Sequence, residues 1–160
     1  MAVPIDLKNT RFVSENAQLG AKALAYKNGT WIDFRNWGDQ EFGAAYGIHS
    51  TSGDFAKWLI ALMKREGLDK ASYQELLGNQ IELPEGHPSR ADGITHMSLG
   101  FFKGTFPFGT GYGHGGNNDK KFTCLFVFIP ESQWGMVLFT NSGFGEEMGL
   151  NLFKFFLTPR

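Results

Sequence analysis

Two apolar runs, separated by only four residues, limit how this chain can fold more than any other feature. Phe122 to Ile129 is almost continuously apolar and stops at Pro130, the pattern of a strand buried on both faces. Pro130-Glu131-Ser132-Gln133 reads as a turn, and Trp134 to Thr140 as the returning strand. A parallel crossover needs about a dozen residues or more, so these strands are antiparallel neighbours. A helix is predicted from about Gly145 to Leu157. It carries Met148, Leu152, Phe153, Phe155 and Phe156, a broad apolar face expected to lie on the sheet.

Upstream, Leu24 to Ile32 centres on Asn28-Gly29 between β-formers, the signal of a hairpin with a two-residue turn. Turn chemistry also accounts for the Asn28-Gly29-Thr30 sequon. Phe55, Trp58, Leu59, Leu62 and Met63 make one helical stripe. A hydroxyl at 50 to 52 caps its start, Asp54 suits its first turn, and Lys64 and Arg65 its last, with Gly67 as the stop. A shorter helix is predicted from about Lys70 to Leu77. Pro4 to Ala21 reads as loop with one short helix. Residues 79 to 97 read as loop, punctuated by Pro84, Gly86, Pro88, Asp92 and Gly93. Leu99 to Phe106 reads as a strand, and Tyr112 to Asn117 as the start or edge of another. The fold class is therefore α+β: an antiparallel sheet covered by a C-terminal helix, with a preceding helical segment. The 160 residues fit one domain, with a helical and loop part over 1–97 and the sheet and last helix over 98–160.

Composition narrows the function classes. A net charge of −1 leaves no basic footprint for nucleic acid, so no nucleic-acid partner is expected. No apolar run is long enough for a membrane span. Met1 to Asp6 shows no basic region followed by an apolar stretch, so no signal peptide is expected there. The single cysteine, Cys124, excludes an intrachain disulfide. Its place inside an apolar strand predicts a buried structural thiol rather than a nucleophile. With 16 Phe and 21 Gly, the chain favours β-structure with close backbone approaches over a helical bundle.

Gly111-Tyr112-Gly113-His114-Gly115-Gly116 spells the dinucleotide fingerprint G-x-G-x-x-G. That mechanism requires a helix N-terminus directly afterwards, and here Asn117-Asn118-Asp119 and a Phe-rich strand follow. The same glycines also let a ligand's backbone approach a strand edge and would present His114 to it. A glycine-rich loop with an exposed histidine is the plainer reading, and the local sequence does not separate the two. His49, His87, His96 and His114 lack metal-ligand spacing, so neither metal nor cofactor is expected. No serine lies in Gly-x-Ser-x-Gly, and none of the eight serines has a lysine three residues on.

The chain as a whole resembles the C-terminal half of the serine β-lactamase-like hydrolases, the group of class C β-lactamases, DD-peptidases and related esterases. Pro4 to Phe12 is similar to the family's Pro-Leu-Gly-Met/Leu-x-x-Thr segment. Ala45 to Thr51 with Asp54 and Trp58-Leu59 is similar to its Gly-x-x-Ser-Thr-x-x-Asp helix start. Tyr112-Gly113-His114-Gly115-Gly116 is similar to its third active-site motif, usually Lys-Thr-Gly, with His-x-Gly a common variant. Phe126 to Glu131 and Leu138 to Ser142 are similar to the strands that follow. The order and spacing of these motifs are more specific than any one of them.

The resemblance implies a partial β-lactamase/transpeptidase-like fold and an acyl-serine mechanism on a β-lactam, a peptidoglycan-type peptide or an ester. In such a mechanism two backbone N–H groups hold the oxyanion. Asn117 would supply one, and His114 would stand at the lysine position of the third motif. Tyr112, Gly113, Gly115 and Gly116 would bind substrate. Replacing lysine by histidine removes a fixed cation and favours an ester or peptide over an anionic β-lactam. The family's Ser-x-x-Lys and Tyr-x-Asn lie upstream of the segment resembled by Pro4 to Phe12. The chain is therefore expected to be a truncated piece of a bacterial enzyme, inactive alone. Tyr26-Lys27-Asn28 spells the second motif but falls within the hairpin turn. A homo-oligomer through an exposed sheet edge is expected, and export to the periplasm or medium if the full-length protein follows its family. A non-catalytic binding module that kept the cleft wall is the alternative, and a fold-level likeness alone is the third.

Overall fold

The computed structural model describes residues 5–12, 23–33 and 48–157. Its centre is a six-stranded antiparallel sheet in the order β10-β9-β8-β7-β6-β5. The strands are β5 (Ile81–Glu82), β6 (Ile94–Met97), β7 (Phe102–Phe106), β8 (Gly109–Asn118), β9 (Phe122–Ile129) and β10 (Trp134–Thr140). Helices α1 (Ser52–Met63) and α3 (Gly145–Leu157) pack on opposite faces, and α2 (Lys70–Leu76) lies beside α1. Two small pairs complete the described chain: β1 (Arg11–Phe12) with β4 (Ile48–His49), and the hairpin β2 (Ala25–Lys27) with β3 (Thr30–Ile32).

Strands β9 and β10 pair antiparallel from Ile129 with Trp134 to Thr123 with Thr140, as the short connection requires. Phe128 and Ile129 are fully buried on opposite sides of β9. Phe128 joins Leu59, Leu62, Tyr73, Leu77, Phe101 and Tyr112 on the α1 face. Ile129 and Val127 join Phe153 and Leu157 on the α3 face. Each such side chain contributes roughly 1.5–3 kcal/mol when fully buried, so β9 anchors both layers.

The hairpin forms at Asn28-Gly29, both at positive φ (54° and 79°), the geometry of a primed turn. Thr51 caps α1 by accepting from the Asp54 N–H at 3.2 Å, and Asp69 caps α2 through Ser72 at 2.7 Å. Helix α1 stops before Gly67. Arg65 takes the left-handed conformation (φ 62°), and the Glu66 N–H reaches back to the Ala61 carbonyl at 2.9 Å. This closing motif usually employs glycine. Here the Arg65 guanidinium lies 5.1 Å from the centre of the Tyr73 ring, where cation and ring attract.

Three expectations are corrected. Residues 79–97 are not simply loop: they hold β5, a 3-10 turn at Pro88–Asp92 and β6. Arg90 organises them, with Nε donating to the Leu83 and Pro84 carbonyls at 2.9 Å and Nη2 meeting Glu82 at 3.1 Å. The next strand, β7, starts at Phe102 rather than Leu99, because Gly100 turns the chain at φ 82°. Finally, α3 does not lay its whole apolar side on the sheet. Gly145, Gly149, Phe153 and Leu157 face inward, while Met148, Phe155 and Phe156 are exposed. The two glycines allow close approach: a Cβ on Gly149 would lie 2.7 Å from Leu125 Cδ2. The short helix expected between Pro4 and Ala21 falls largely outside the described residues.

Candidate functional site

Strand β8 is bordered unequally. Gly109 to Gly113 pair with β7, whereas Tyr112 to Asn118 pair with β9. Only Tyr112 and Gly113 have a strand on both sides. The second half of β8, His114 to Asn118, has no neighbour on the β7 side among the described residues. The two-residue connection Pro107-Phe108 makes Phe106 and Gly109 a hydrogen-bonded pair. Alternation along an antiparallel ladder then directs the main-chain groups of Tyr112, His114 and Gly116 toward β9. Those of Gly115 and Asn117 point out of the open edge. A ligand lying along this edge meets an N–H and a carbonyl from each.

The side chains sort onto two faces. Tyr112 and Gly113, expected among the substrate-binding residues, are buried. The Tyr112 ring stacks on Phe128 (centroids 5.4 Å, 27° between planes), with Lys103 Nζ 5.4 Å from its centre. Burial, with Glu131 and Tyr73 nearby, pushes its hydroxyl up to a pKa of about 12. Tyr112 is a core residue whose alternation carries it inward. His114 is exposed and stacks on Phe102 at 5.9 Å and 27°. Gly115 is half-buried and Gly116 exposed. Asn117 turns its side chain to the α3 face: Nδ2 donates to Glu146 Oε2 at 3.1 Å, and Oδ1 accepts from the Lys120 N–H at 2.8 Å. Both bonds hold the side chain away from the open edge, where the Asn117 N–H points.

Cys124 is not the buried thiol expected from its strand. It lies opposite Gly116 and is exposed, because α1 covers β9 only near Phe126 and Phe128. Surrounding atoms withdraw enough water to push its thiol pKa up, although the residue surface remains reachable. A Cβ added at Gly116 would lie 3.0 Å from the Cys124 sulfur. No helix begins after Gly116. The strand runs on to Asn118, and Asp119 and Lys120 turn the chain at φ 49° and 55°. The dinucleotide-loop geometry is therefore absent here. Tyr26-Lys27-Asn28 sits in the β2–β3 hairpin, with Lys27 Nζ 3.3 Å from Asp119 Oδ2. Among the described residues no group of three metal-ligating side chains converges.

The start of α1 holds a polar junction whose strength the sequence pattern understated. Asp54 is 2 % exposed. It accepts from the Asn9 N–H at 2.6 Å, from Lys57 Nζ at 3.2 Å and from Thr10 Oγ1 at 3.3 Å. Thr10 Oγ1 also meets Ser50 Oγ at 2.8 Å. The Asn9 amide does most to hold the carboxyl below its ordinary range, aided by Lys57 and Thr10 against the opposing effect of burial. Asp54 thus ties residues 5–10 to α1 as well as standing in its first turn. Residues 45–47 of the same motif lie outside the described residues.

No curated protein matches the chain significantly. Solved structures match it well. An octameric penicillin-binding protein homologue from Pyrococcus abyssi superposes with a TM-score of 0.71 at 20% identity, over 96% of this chain and 35% of that one. A β-lactamase/D-alanine carboxypeptidase from Pseudomonas syringae gives 0.67 at 15% identity, over 94% and 48%. A penicillin-binding protein from Bacillus halodurans gives 0.66 at 16% identity, over 90% and 44%. The chain spans less than half the length of each. The β-lactamase family model matches residues 1–154. The α+β fold, the glycine-rich strand and this match agree: the chain belongs to the β-lactamase family and carries part of its serine hydrolase fold.

Proposed function

We propose that this chain forms one wall of an acyl-transfer cleft, acting on a β-lactam, a peptidoglycan-type peptide or an ester. The carrying observation is the open half-edge of β8, with Gly115 and Asn117 turned outward beside an exposed His114. The substrate backbone lies along that edge. The Asn117 N–H donates to the carbonyl oxygen as it gains charge in the tetrahedral intermediate, and Gly115 and Gly116 leave room for the approach. His114 stands at the rim, where it orients the substrate. In the acyl-serine mechanism a serine oxygen attacks the carbonyl carbon, its proton passes to a base, and the leaving group departs with a proton. The 160 residues contain no Ser-x-x-Lys, so the nucleophile comes from polypeptide outside them and the isolated chain is inactive. Export to the periplasm or medium would follow the family.

The missing Ser-x-x-Lys also favours a second reading, a binding module that keeps the wall and performs no chemistry. The isolated chain should release no chromophore from a chromogenic cephalosporin or a short-chain nitrophenyl ester, and should gain no acyl mass. Turnover that survives Cys124→Ser overturns the inactive-chain assignment. In the protein that joins this chain to a Ser-x-x-Lys segment, a fluorescent penicillin should label the serine, and Gly116→Val should abolish labelling. Absence of any labelling in that protein favours the binding module.

A further inference from the structure

Strand β7 begins where the open half of β8 begins, and the residue at that corner is Phe102. It pairs with Gly113 on β8 and with Met97 on β6, so its main chain is held from both sides. The turn before it is equally fixed. The Ser98 N–H donates to the Phe101 carbonyl at 2.9 Å, the Leu99 N–H donates to the Leu76 carbonyl at 3.1 Å, and Gly100 takes φ 82°. Phe101 is buried, with its ring edge-on to Phe126 and Phe128 at 6.0 and 5.5 Å. The half-buried Phe102 ring is thus carried on a rigid corner.

One step past Gly113 the edge opens at His114. Among the described residues its backbone pairs only with Phe126 of β9, and Gly113 and Gly115 on either side carry no side chain to fence the imidazole. The exposed ring is nevertheless placed. It stacks on Phe102 with centroids 5.9 Å apart and 27° between planes, inside the range in which aromatic rings attract. Among the described residues no hydrogen bond reaches the imidazole. A histidine oriented by a hydrogen bond commits one ring nitrogen, and so its tautomer, to the protein. His114 is held by its face instead, which leaves both Nδ1 and Nε2 to a ligand.

We propose that Phe102 is a positioning residue of the cleft: its ring fixes the direction in which His114 meets the substrate. The proposal rests on the acyl-transfer reading of the open edge. Phe102 acts through His114, and the imidazole makes the contact. With both nitrogens uncommitted, the imidazole accepts a hydrogen bond from a substrate N–H or donates one to a substrate oxygen, whichever the bound group presents. A stack suits a rim residue that serves an amide as readily as an ester. Without the Phe102 ring, the imidazole is free to turn about its two side-chain bonds at an edge flanked by glycines.

The contact is tested without catalysis, by nuclear magnetic resonance of the 160-residue chain. Nuclear Overhauser effects should join the Phe102 and His114 rings, and the His114 ring protons should carry a ring-current displacement. Phe102→Leu should abolish that displacement with the circular dichroism unchanged, and Phe102→Tyr should keep it. In the protein that joins this chain to a Ser-x-x-Lys segment, Phe102→Leu should slow labelling by a fluorescent penicillin. The loss should reach up to roughly 100-fold for about 1 Å of misplacement, and Phe102→Tyr should label at the unsubstituted rate. On a His114→Ala background Phe102→Leu should slow labelling no further, because nothing is left for it to position. Absence of ring-to-ring effects in the unsubstituted chain overturns the proposal whether or not any variant folds. So does a joined Phe102→Leu protein that labels at the unsubstituted rate, or slowing that persists on the His114→Ala background. If the unsubstituted joined protein takes no label while the two rings stay in contact, the acyl-transfer reading itself fails, and the proposal falls with it for that separate reason.

Discussion

Glycines 113 and 115 lie two residues apart on β8 and point to the same face, yet only one of them is tightly packed. A Cβ on Gly113 would stand 2.7 Å from the Phe126 carbonyl oxygen and 3.2 Å from Val127 Cγ2. The first neighbour is backbone in the most deeply packed strand and cannot swing aside. Forcing a methyl group into such packing costs about 1–3 kcal/mol. Against this, alanine recovers about 0.5–1 kcal/mol of the backbone entropy that glycine loses in a strand. Gly113→Ala should then destabilise by up to about 2.5 kcal/mol, a fall in Tm of up to about 10 °C for a chain of this size. At Gly115 the nearest atoms are the Cys124 carbonyl at 3.4 Å and Leu125 Cδ1 at 3.6 Å, ordinary contacts. Gly115→Ala should be neutral or stabilising by up to about 1 kcal/mol. Paired thermal and urea unfolding of the two variants measures the difference. If Gly115→Ala lowers Tm as much as Gly113→Ala, then packing governs both glycines, and Gly115 is no longer a residue kept small for a ligand.

Phe128→Ala should lose about 3–5 kcal/mol by removing a fully buried ring from the α1 face, read as a drop in the urea midpoint without a change of slope. Asp54 has a folded pKa below its ordinary 3.8. Its contribution is therefore fully present above that value and disappears as pH falls through the lower folded value. Urea midpoints taken between pH 7 and pH 3 should decline at the acid end, and Asp54→Asn should be less stable at pH 7 with a shallower acid decline. Cys124 should react with a maleimide in the native chain without denaturant, since it is exposed. The reaction should quicken as pH rises, because the raised pKa keeps the thiol protonated near neutrality. Labelling only after denaturation would refute the exposure.

Strong local patterns survived into the structure. Asn28-Gly29 specifies its turn by backbone sterics alone, α1 follows from apolar spacing and its cap and α3 from apolar spacing, as β9 and β10 do from apolar runs split by Pro130-Glu131-Ser132-Gln133. Where tertiary contacts decide, the pattern was silent. β5 is two residues long, too short for any periodicity, and is held by Arg90 from the following turn. The Arg65 stop carries a contact to the Tyr73 ring that no local pattern announces. Cys124 sits in a run that reads as buried, but covering depends on which neighbours extend that far, and α1 does not. The same holds at the candidate site. The exposure of His114 was legible as a histidine among glycines. That Tyr112 faces inward follows only from the register with β9, which pairing fixes and composition does not. The anchoring of Asn117 by Glu146 joins residues 29 apart and left no local trace.

That anchor bears on when order is acquired. A donor that must find its direction as a ligand arrives loses rotational freedom at that moment, and affinity falls accordingly. Asn117 is pinned beforehand, through Glu146 on one side and the Lys120 amide on the other, both on the face away from the open edge. Its loss of freedom belongs to folding, and in the proposed cleft the main-chain N–H on the other side would be aimed before a substrate approaches. The C-terminal helix therefore does more than cover the sheet: through Glu146 it braces the end of β8, whose pairing with β9 directs the Asn117 N–H to the edge.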